Sequence, residues 1–339
     1  MMSPARSRST SWQTALVLLL SAALLAWFLR GIDRHGLMAA LRDARLSLIV
    51  AAVIVTALTY VFRAWRWQAL LAPLGGASFR NSFRITVMGF TATNLLPGRL
   101  GEVLRPYLIS RAEPVSGPAA FATILIERVL DLTMVMVLFG IFLATARVDV
   151  GREVKGAGVV TATASVVALV IMAFGAGQPE RLRRLADLCI NWMPARIAAV
   201  LRSFAHTLVD GLAVMRQPRP LFVAVAMSAG LWISIAWGIW LVSLALDVTM
   251  AFTASFLIVT YLVVGVAVPV PAGVGSFHFM YQLAAASVLG ADRNHAAAAA
   301  IVLHLASVLP ISLLGLGFMA QDGWTLARLR GVEPDGGLK

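Results

Sequence analysis

Six ionisable side chains fall in two short stretches of otherwise apolar sequence: Arg99, Glu102 and Arg105, then Glu127, Arg128 and Asp131. Three are positive and three negative, so the set sums to zero. A charge at the centre of a spanning helix costs about 2.5–3.5 kcal/mol on insertion scales, so six could not face lipid together. On a helix, Glu102 and Arg105 lie three apart, as do Arg128 and Asp131, and Glu127 shares a face with Asp131. Two readings follow. One is a self-neutralised structural network; the other keeps that network but leaves one or two arginines for an anionic headgroup. Arginine suits the second, because its planar fork binds phosphate bidentately and does not deprotonate.

The first trio sits on a break in the apolar pattern, Asn94-Leu-Leu-Pro97-Gly98-Arg99-Leu-Gly101-Glu102, and a second break follows far downstream, Pro269-Val-Pro271-Ala272-Gly273-Val-Gly275-Ser-Phe-His278. Pro97 and Gly101 are four apart, as are Pro271 and Gly275. Proline removes a backbone donor, and glycine permits turns and close backbone approach. Irregular backbone at membrane depth survives only inside protein or against a water-filled cavity. A helix restarting after such a break points free N–H groups at that cavity, a natural place for phosphate or carboxylate. In the second half the polar candidates are His278, Tyr281 and His304. No metal-ligand spacing, phosphate-cradling loop, nucleophile elbow or dinucleotide fingerprint occurs, so neither a metal nor a cofactor is expected.

The elements that must carry these residues follow from composition. Of 339 residues, 60% are hydrophobic and 13% charged, with a mean hydropathy of +0.85. Soluble domains are about 45–50% apolar and about 25% charged, so the chain is expected to be an all-α polytopic membrane protein. The net charge of +12 comes mostly from arginines between apolar runs, which points to anionic headgroups rather than nucleic acid. Cys189 is the only cysteine, so no intrachain disulfide can form. Runs of about 20 apolar residues give six full spans near 13–30, 46–62, 129–146, 157–175, 220–246 and 296–318, with two broken re-entrant hairpins at 85–126 and 251–290. The basic stretches 63–84 and 176–219 read as cytoplasmic, which also puts both termini there. Within 176–219, apolar residues recur at helical spacing beside arginines, as in an amphipathic linker on the membrane surface. Trp12, Trp27, Trp65, Trp67, Trp192 and Trp324 fall where interfacial anchors belong. A shift of 174 positions lays 46–62 on 220–236 and 129–146 on 303–320. The expected organisation is therefore one membrane domain over 1–339, with repeats at 46–146 and 220–318 of opposite topology, as in many secondary transporters.

Three blocks, Asn94-Leu-Leu-Pro-Gly-Arg-Leu-Gly-Glu102-x-x-Arg105-Pro-Tyr, Glu127-Arg128-Val-Leu-Asp131-Leu and Pro269-Val-Pro-Ala-Gly-Val-Gly275, resemble the flippase-like family named for the membrane region of lysylphosphatidylglycerol synthetase. The resemblance implies a bacterial inner-membrane protein with two re-entrant hairpins around a cavity. It further implies a partner that is a membrane lipid: a phospholipid, a hopanoid or a polyprenyl-linked substrate. Homo-oligomers are compatible with it. Arg99, Glu102, Arg105, Glu127, Arg128 and Asp131 carry over onto the family's charged blocks. Two departures stand out. Ala272 replaces a family glycine, and His278 stands near the place of a family acid, as a pH-sensitive substitute. The family's soluble aminoacyl-transferase domain has no counterpart before Lys339, so synthesis of lysylphosphatidylglycerol is not expected. The readings carried forward are a lipid transporter, a membrane enzyme of lipid or polyprenyl-phosphate metabolism, and a scaffold subunit.

Overall fold

The computed structural model describes residues 8–96, 100–145, 151–267 and 270–323; Pro97, Gly98, Arg99, Pro269 and Trp324 lie outside the described residues. Every regular element among the described residues is helical. The order is α1 (Arg8–Leu29), α2 (Arg34–Arg42), α3 (Leu46–Leu71), α4 (Phe79–Leu95), α5 (Gly101–Ala112), α6 (Gly117–Thr145) and α7 (Arg152–Gly177). Then come α8 (Pro179–Ile190), α9 (Ala195–Gly211), α10 (Pro218–Ala245), α11 (Ala254–Ala267), α12 (Ser276–Gln282) and α13 (Arg293–Gln321). Leu46–Leu74, Ala198–Arg216, Pro218–Ala245 and Arg293–Gln321 are long and apolar enough to cross a membrane, and Leu19–Leu29, Gly158–Ile171 and Ala254–Ala267 are shorter apolar helices. The chain is an all-helical polytopic membrane protein.

α3 and α10 form the central pair and run antiparallel. The Arg45 N–H donates to the Ala245 carbonyl at 2.9 Å, and Arg45 pairs with Asp247 at 2.7 Å. Further along, Gly238 faces Thr56, Gly230 faces Phe62, and Arg66 donates to Ser228. α4 lies antiparallel against α13: Thr91 bonds the Ile311 carbonyl, Asn94 Nδ2 donates to Ser312 Oγ at 3.2 Å, and Arg84 pairs with Asp322 at 2.6 Å. Reciprocally, α11 packs on α6. Each half therefore lays its short helix on the long last helix of the other. Shifting α3, α4 and α6 by 174 gives 220–245, 253–269 and 291–319, against the observed α10, α11 and α13 at 218–245, 254–267 and 293–321.

Both breaks fall where the prolines and glycines stand, between Leu95 and Gly101 and between Ala267 and Ser276. α4 and α5 form a hairpin. At its mouth the Ser78 N–H, Ser78 Oγ and Asn81 Nδ2 all donate to Glu113 Oε1 at 2.8 Å. Near its tip the backbones touch, since a Cβ on Gly101 would lie 1.8 Å from the Gly89 carbonyl oxygen. In the second break Gly273 and Gly275 adopt φ of +71° and +88°, and Gly275 packs so closely on α1 that a Cβ would sit 2.9 Å from the Ser21 carbonyl oxygen. Ala272 shares this left-handed region, at φ 51°. The returning arm is less regular than its counterpart, because α12 passes into a π turn at Leu283–Val288.

The structure departs from the sequence reading in two places. α3 does not stop near 62 but continues to Leu71, so Arg63 and Arg66 belong to a helix rather than a basic loop; Arg66 is fully buried. A hydropathy window ends at an arginine, whereas the helix continues wherever that arginine finds partners. Trp67 is no interfacial anchor: it is fully buried and donates to Thr123 Oγ1 at 3.0 Å, while Trp27, Trp65 and Trp192 are exposed. The 176–219 stretch is a helical pair, with α9 tied to α8 through Arg202–Asp187, His206–Asp187 and Arg183–Asp210.

Two outcomes follow. Hydrogen bonds from Ser78 hold the Glu113 carboxyl below the usual carboxylate range. The tie at the hairpin mouth is therefore present above the ordinary carboxylate pKa and is lost as pH falls through the lowered value. Amide exchange across 78–82, corrected for intrinsic rates, should accelerate in acid, and Glu113→Gln should make it fast at neutral pH as well. Ala272→Gly removes a left-handed penalty of about 1 kcal/mol, so it should raise the thermal midpoint in detergent.

Candidate functional site

Four helices bring the charged residues together. α6 supplies Glu127, Arg128 and Asp131, α5 supplies Glu102 and Arg105, α3 supplies Arg63 and Arg66, and α10 supplies Ser228 and Trp232. Glu127 and Asp131 are one turn apart, and both turn toward α3. Arg66 Nη1 meets Asp131 Oδ1 at 2.5 Å and Ser228 Oγ at 3.2 Å, while its Nε stands 3.4 Å from Glu127 Oε1. Arg105 takes the other side of Glu127, with Nη1 at 2.7 Å and Nη2 at 3.4 Å, and its guanidinium stacks 4.2 Å from the Trp67 ring. Trp232 Nε1 donates to Asp131 Oδ1 at 2.9 Å. Arg66, Glu127, Arg105 and Asp131 are all buried.

The pairing differs from the one spacing predicts. Arg105 bonds Glu127 across two helices rather than Glu102 on its own, and the central cation is Arg66, which the sequence reading left in a loop. A signal existed: Tyr60, Ala64, Trp67 and Leu71 continue the helical apolar spacing of the preceding span, at i, i+4, i+7 and i+11. Arg128 and Asp131 do approach, at 3.6 Å, and Glu102 lies 3.9 Å from Arg128. Both contacts exceed hydrogen-bond distance, and the Arg128 side chain keeps 37% of its exposure.

That exposure opens into a cavity of about 470 Å³ lined by both halves. Tyr60, Arg63, Arg128, Asp131 and Trp232 make its polar wall; Val135, Ile239, Val259 and Leu303 are among its apolar residues. A smaller space of about 100 Å³ adjoins it through Phe90, Arg128 and Val266 and reaches Gly101, Glu102 and Arg105 at the first break. His278 is not part of this wall. It stacks on His304, 4.6 Å between ring centroids, beside Phe28 and Phe277, and its Nδ1 accepts the Gly275 N–H at 3.4 Å. Tyr281 is buried and pairs with Ser243 at 2.6 Å. No cluster of three His, Cys, Asp or Glu able to hold a metal occurs among the described residues.

Chemically, the arrangement holds Glu127 and Asp131 as acceptors for guanidinium groups and leaves Arg63 and Arg128 facing a half-open, mostly apolar space. It defines a polytopic membrane protein with a charged cavity between two helical halves. Residues 14–315 match the family described as the lysylphosphatidylglycerol synthase transmembrane region, and the chain belongs to that family. It is similar to the UPF0104 membrane protein of Methanocaldococcus jannaschii, 34% identical over 97 residues, which are 28% of this chain and 29% of the relative. It is also similar to the glycosyltransferase AglD of Haloferax volcanii, 29% identical over 147 residues, or 42% of this chain and 24% of that protein. The matched segments thus span less than a third of either relative.

Removing one partner of a buried ion pair strands the other, at about 3–5 kcal/mol. Asp131→Asn should therefore lower the thermal midpoint strongly in detergent. The double variant Arg66→Met, Asp131→Leu should recover part of the loss, and a double-mutant cycle should return a large coupling between the two.

Proposed function

We propose that this protein is a flippase-type transporter that carries a phospholipid or lipid-linked substrate across the bacterial inner membrane. The single observation that carries the reading is the cavity between the two halves, with a charged wall whose Arg128 is only loosely paired. A headgroup would enter against that wall while its tails remain in the bilayer. The two halves are taken as an inverted repeat. Its support is that the equivalent helices α3 and α10 run antiparallel and that each half packs its short helix on the other's last helix. Rocking one half against the other would then expose the cavity to alternate sides. The cytoplasmic placing of the termini rests on the basic residues outside the spans, Arg80 and Arg84 near the first hairpin mouth and those of α8.

The family's description ties its members to a lipid, and one relative is named a glycosyltransferase, so polyprenyl-linked sugars join phospholipids as candidate cargo. The enzyme reading would require Glu127 or Asp131 as a base. Both carboxylates instead hold guanidinium groups at 2.5–2.7 Å, which favours transport. Of the residues proposed to meet the headgroup, Arg128 has the free geometry. Arg105 is committed to Glu127 and Trp67.

Purified protein in vesicles should move a fluorescent phospholipid or polyprenyl-linked lipid between leaflets. Arg128→Gln should slow this about tenfold, the worth of one charge-assisted hydrogen bond, with an unchanged thermal midpoint. Wild-type vesicles that move none of these lipids would sink the proposal.

A further inference from the structure

Arg63 lies one turn before Arg66 on α3, yet the two guanidinium groups have opposite circumstances. Arg66 is buried among Asp131, Glu127 and Ser228. Arg63 lines the 470 Å³ cavity, 4.5 Å from the Phe90 ring centroid and 5.9 Å from that of Tyr60. Among the described residues no carboxylate stands within 4 Å of it, and it makes no hydrogen bond. Two of the site's three carboxylates, Asp131 and Glu127, are already engaged by Arg66 and Arg105, and Glu102 lies 3.9 Å from Arg128. Counting Arg63, Arg66, Arg105 and Arg128 against Glu102, Glu127 and Asp131, the described site carries one positive charge more than it neutralises.

An uncompensated cation in an apolar enclosure is costly and marks a place for an anion. The aromatic faces of Phe90 and Tyr60 hold the Arg63 plane while leaving its N–H edges for a ligand. Arg128, on the same wall, has both carboxylates beyond hydrogen-bond distance. The Tyr60 hydroxyl also lacks a hydrogen bond among the described residues. Beyond this wall the cavity is mostly apolar, and its volume falls in the range of about 300–1,000 Å³ typical of small-molecule sites, larger than a phosphate alone requires.

We propose that Arg63 and Arg128 form a clamp for the oxyanion of a phosphodiester amphiphile. The diester's negative charge meets two guanidinium groups that make no hydrogen bond to a carboxylate among the described residues, and the glycerol and first alkyl segments lie against Val135, Ile239 and Val259. This rests on the transporter reading for its biological sense, and it names the cargo class as phosphodiester lipid. The clamp itself is a binding site that stands whether or not lipid is moved.

The test is lipid binding by the delipidated full chain in neutral detergent, read by native mass spectrometry with phosphatidylglycerol, diacylglycerol and inorganic phosphate as separate probes. Phosphatidylglycerol should bind in preference to diacylglycerol, and Arg63→Gln should weaken it about tenfold without weakening diacylglycerol. Arg63→Lys, which keeps the charge but not the fork, should fall between and covers the case in which the glutamine variant fails to fold. Equal phosphatidylglycerol affinity in wild type and the substituted protein would overturn the clamp, as would equal binding of diacylglycerol. Inorganic phosphate displacing the lipid at like concentration would assign the site to a soluble anion and overturn the lipid part. Specific binding with no movement in vesicles would sink the transporter reading and leave the clamp standing; movement unaffected by Arg63→Gln would do the reverse.

Discussion

The need to keep Glu127 and Asp131 satisfied inside an apolar bundle is the constraint on which the rest of the structure depends. Two carboxylates one turn apart on α6 cannot neutralise each other. They are met by Arg66 from α3 and Arg105 from α5; on α10, Trp232 donates to Asp131 and Ser228 accepts from Arg66. This arrangement joins three helices of the first half to the central helix of the second. It also explains the glycine at 89. A Cβ there would fall 2.4 Å from Arg105 Cγ, so the approach of α5 to α4 that delivers Arg105 to Glu127 requires the bare backbone.

The helix breaks answer a second constraint of the same kind. Backbone groups released at a break need partners, and in a membrane protein those come from other helices or from a cavity. The first break lies beside the small space at Gly101, Glu102 and Arg105; the second is held by α1 and by the stacked histidines 278 and 304. The halves share an order of elements but not a chemistry. The charged wall belongs to the first half, and the second supplies mostly apolar lining, with Trp232 as its link to Asp131.

Function, on this view, turns on the difference between arginines that hold the fold and arginines that face the cavity. Arg66 and Arg105 place their Nη groups on Asp131, Ser228 and Glu127 within the protein, and losing either would damage the fold first. Arg63 and Arg128 retain exposed edges on an enclosed surface. Burial, pairing distance and cavity lining separate these roles where residue type alone does not.

Much was legible in the sequence because it rests on composition and periodicity. Apolar runs of spanning length established a helical membrane protein, and the prolines and glycines at 97–101 and 269–275 located both breaks. The charged residues of α6 announced a site, since six charges in apolar surroundings must associate. Which charges associate was not legible. Spacing along a helix predicts partners on the same helix, whereas Arg105 finds Glu127 across two helices and Arg66 finds Asp131 across 65 positions of chain. Hydropathy likewise ended the first long helix before Arg63, because it scores a guanidinium as exposed and has no knowledge of the carboxylates that meet it. The sequence by itself determined the class of fold, the places where helices break and the presence of a buried charge site. Only the tertiary structure decided which arginines are bound and which are free, because pairing across helices depends on where the chain folds back upon itself.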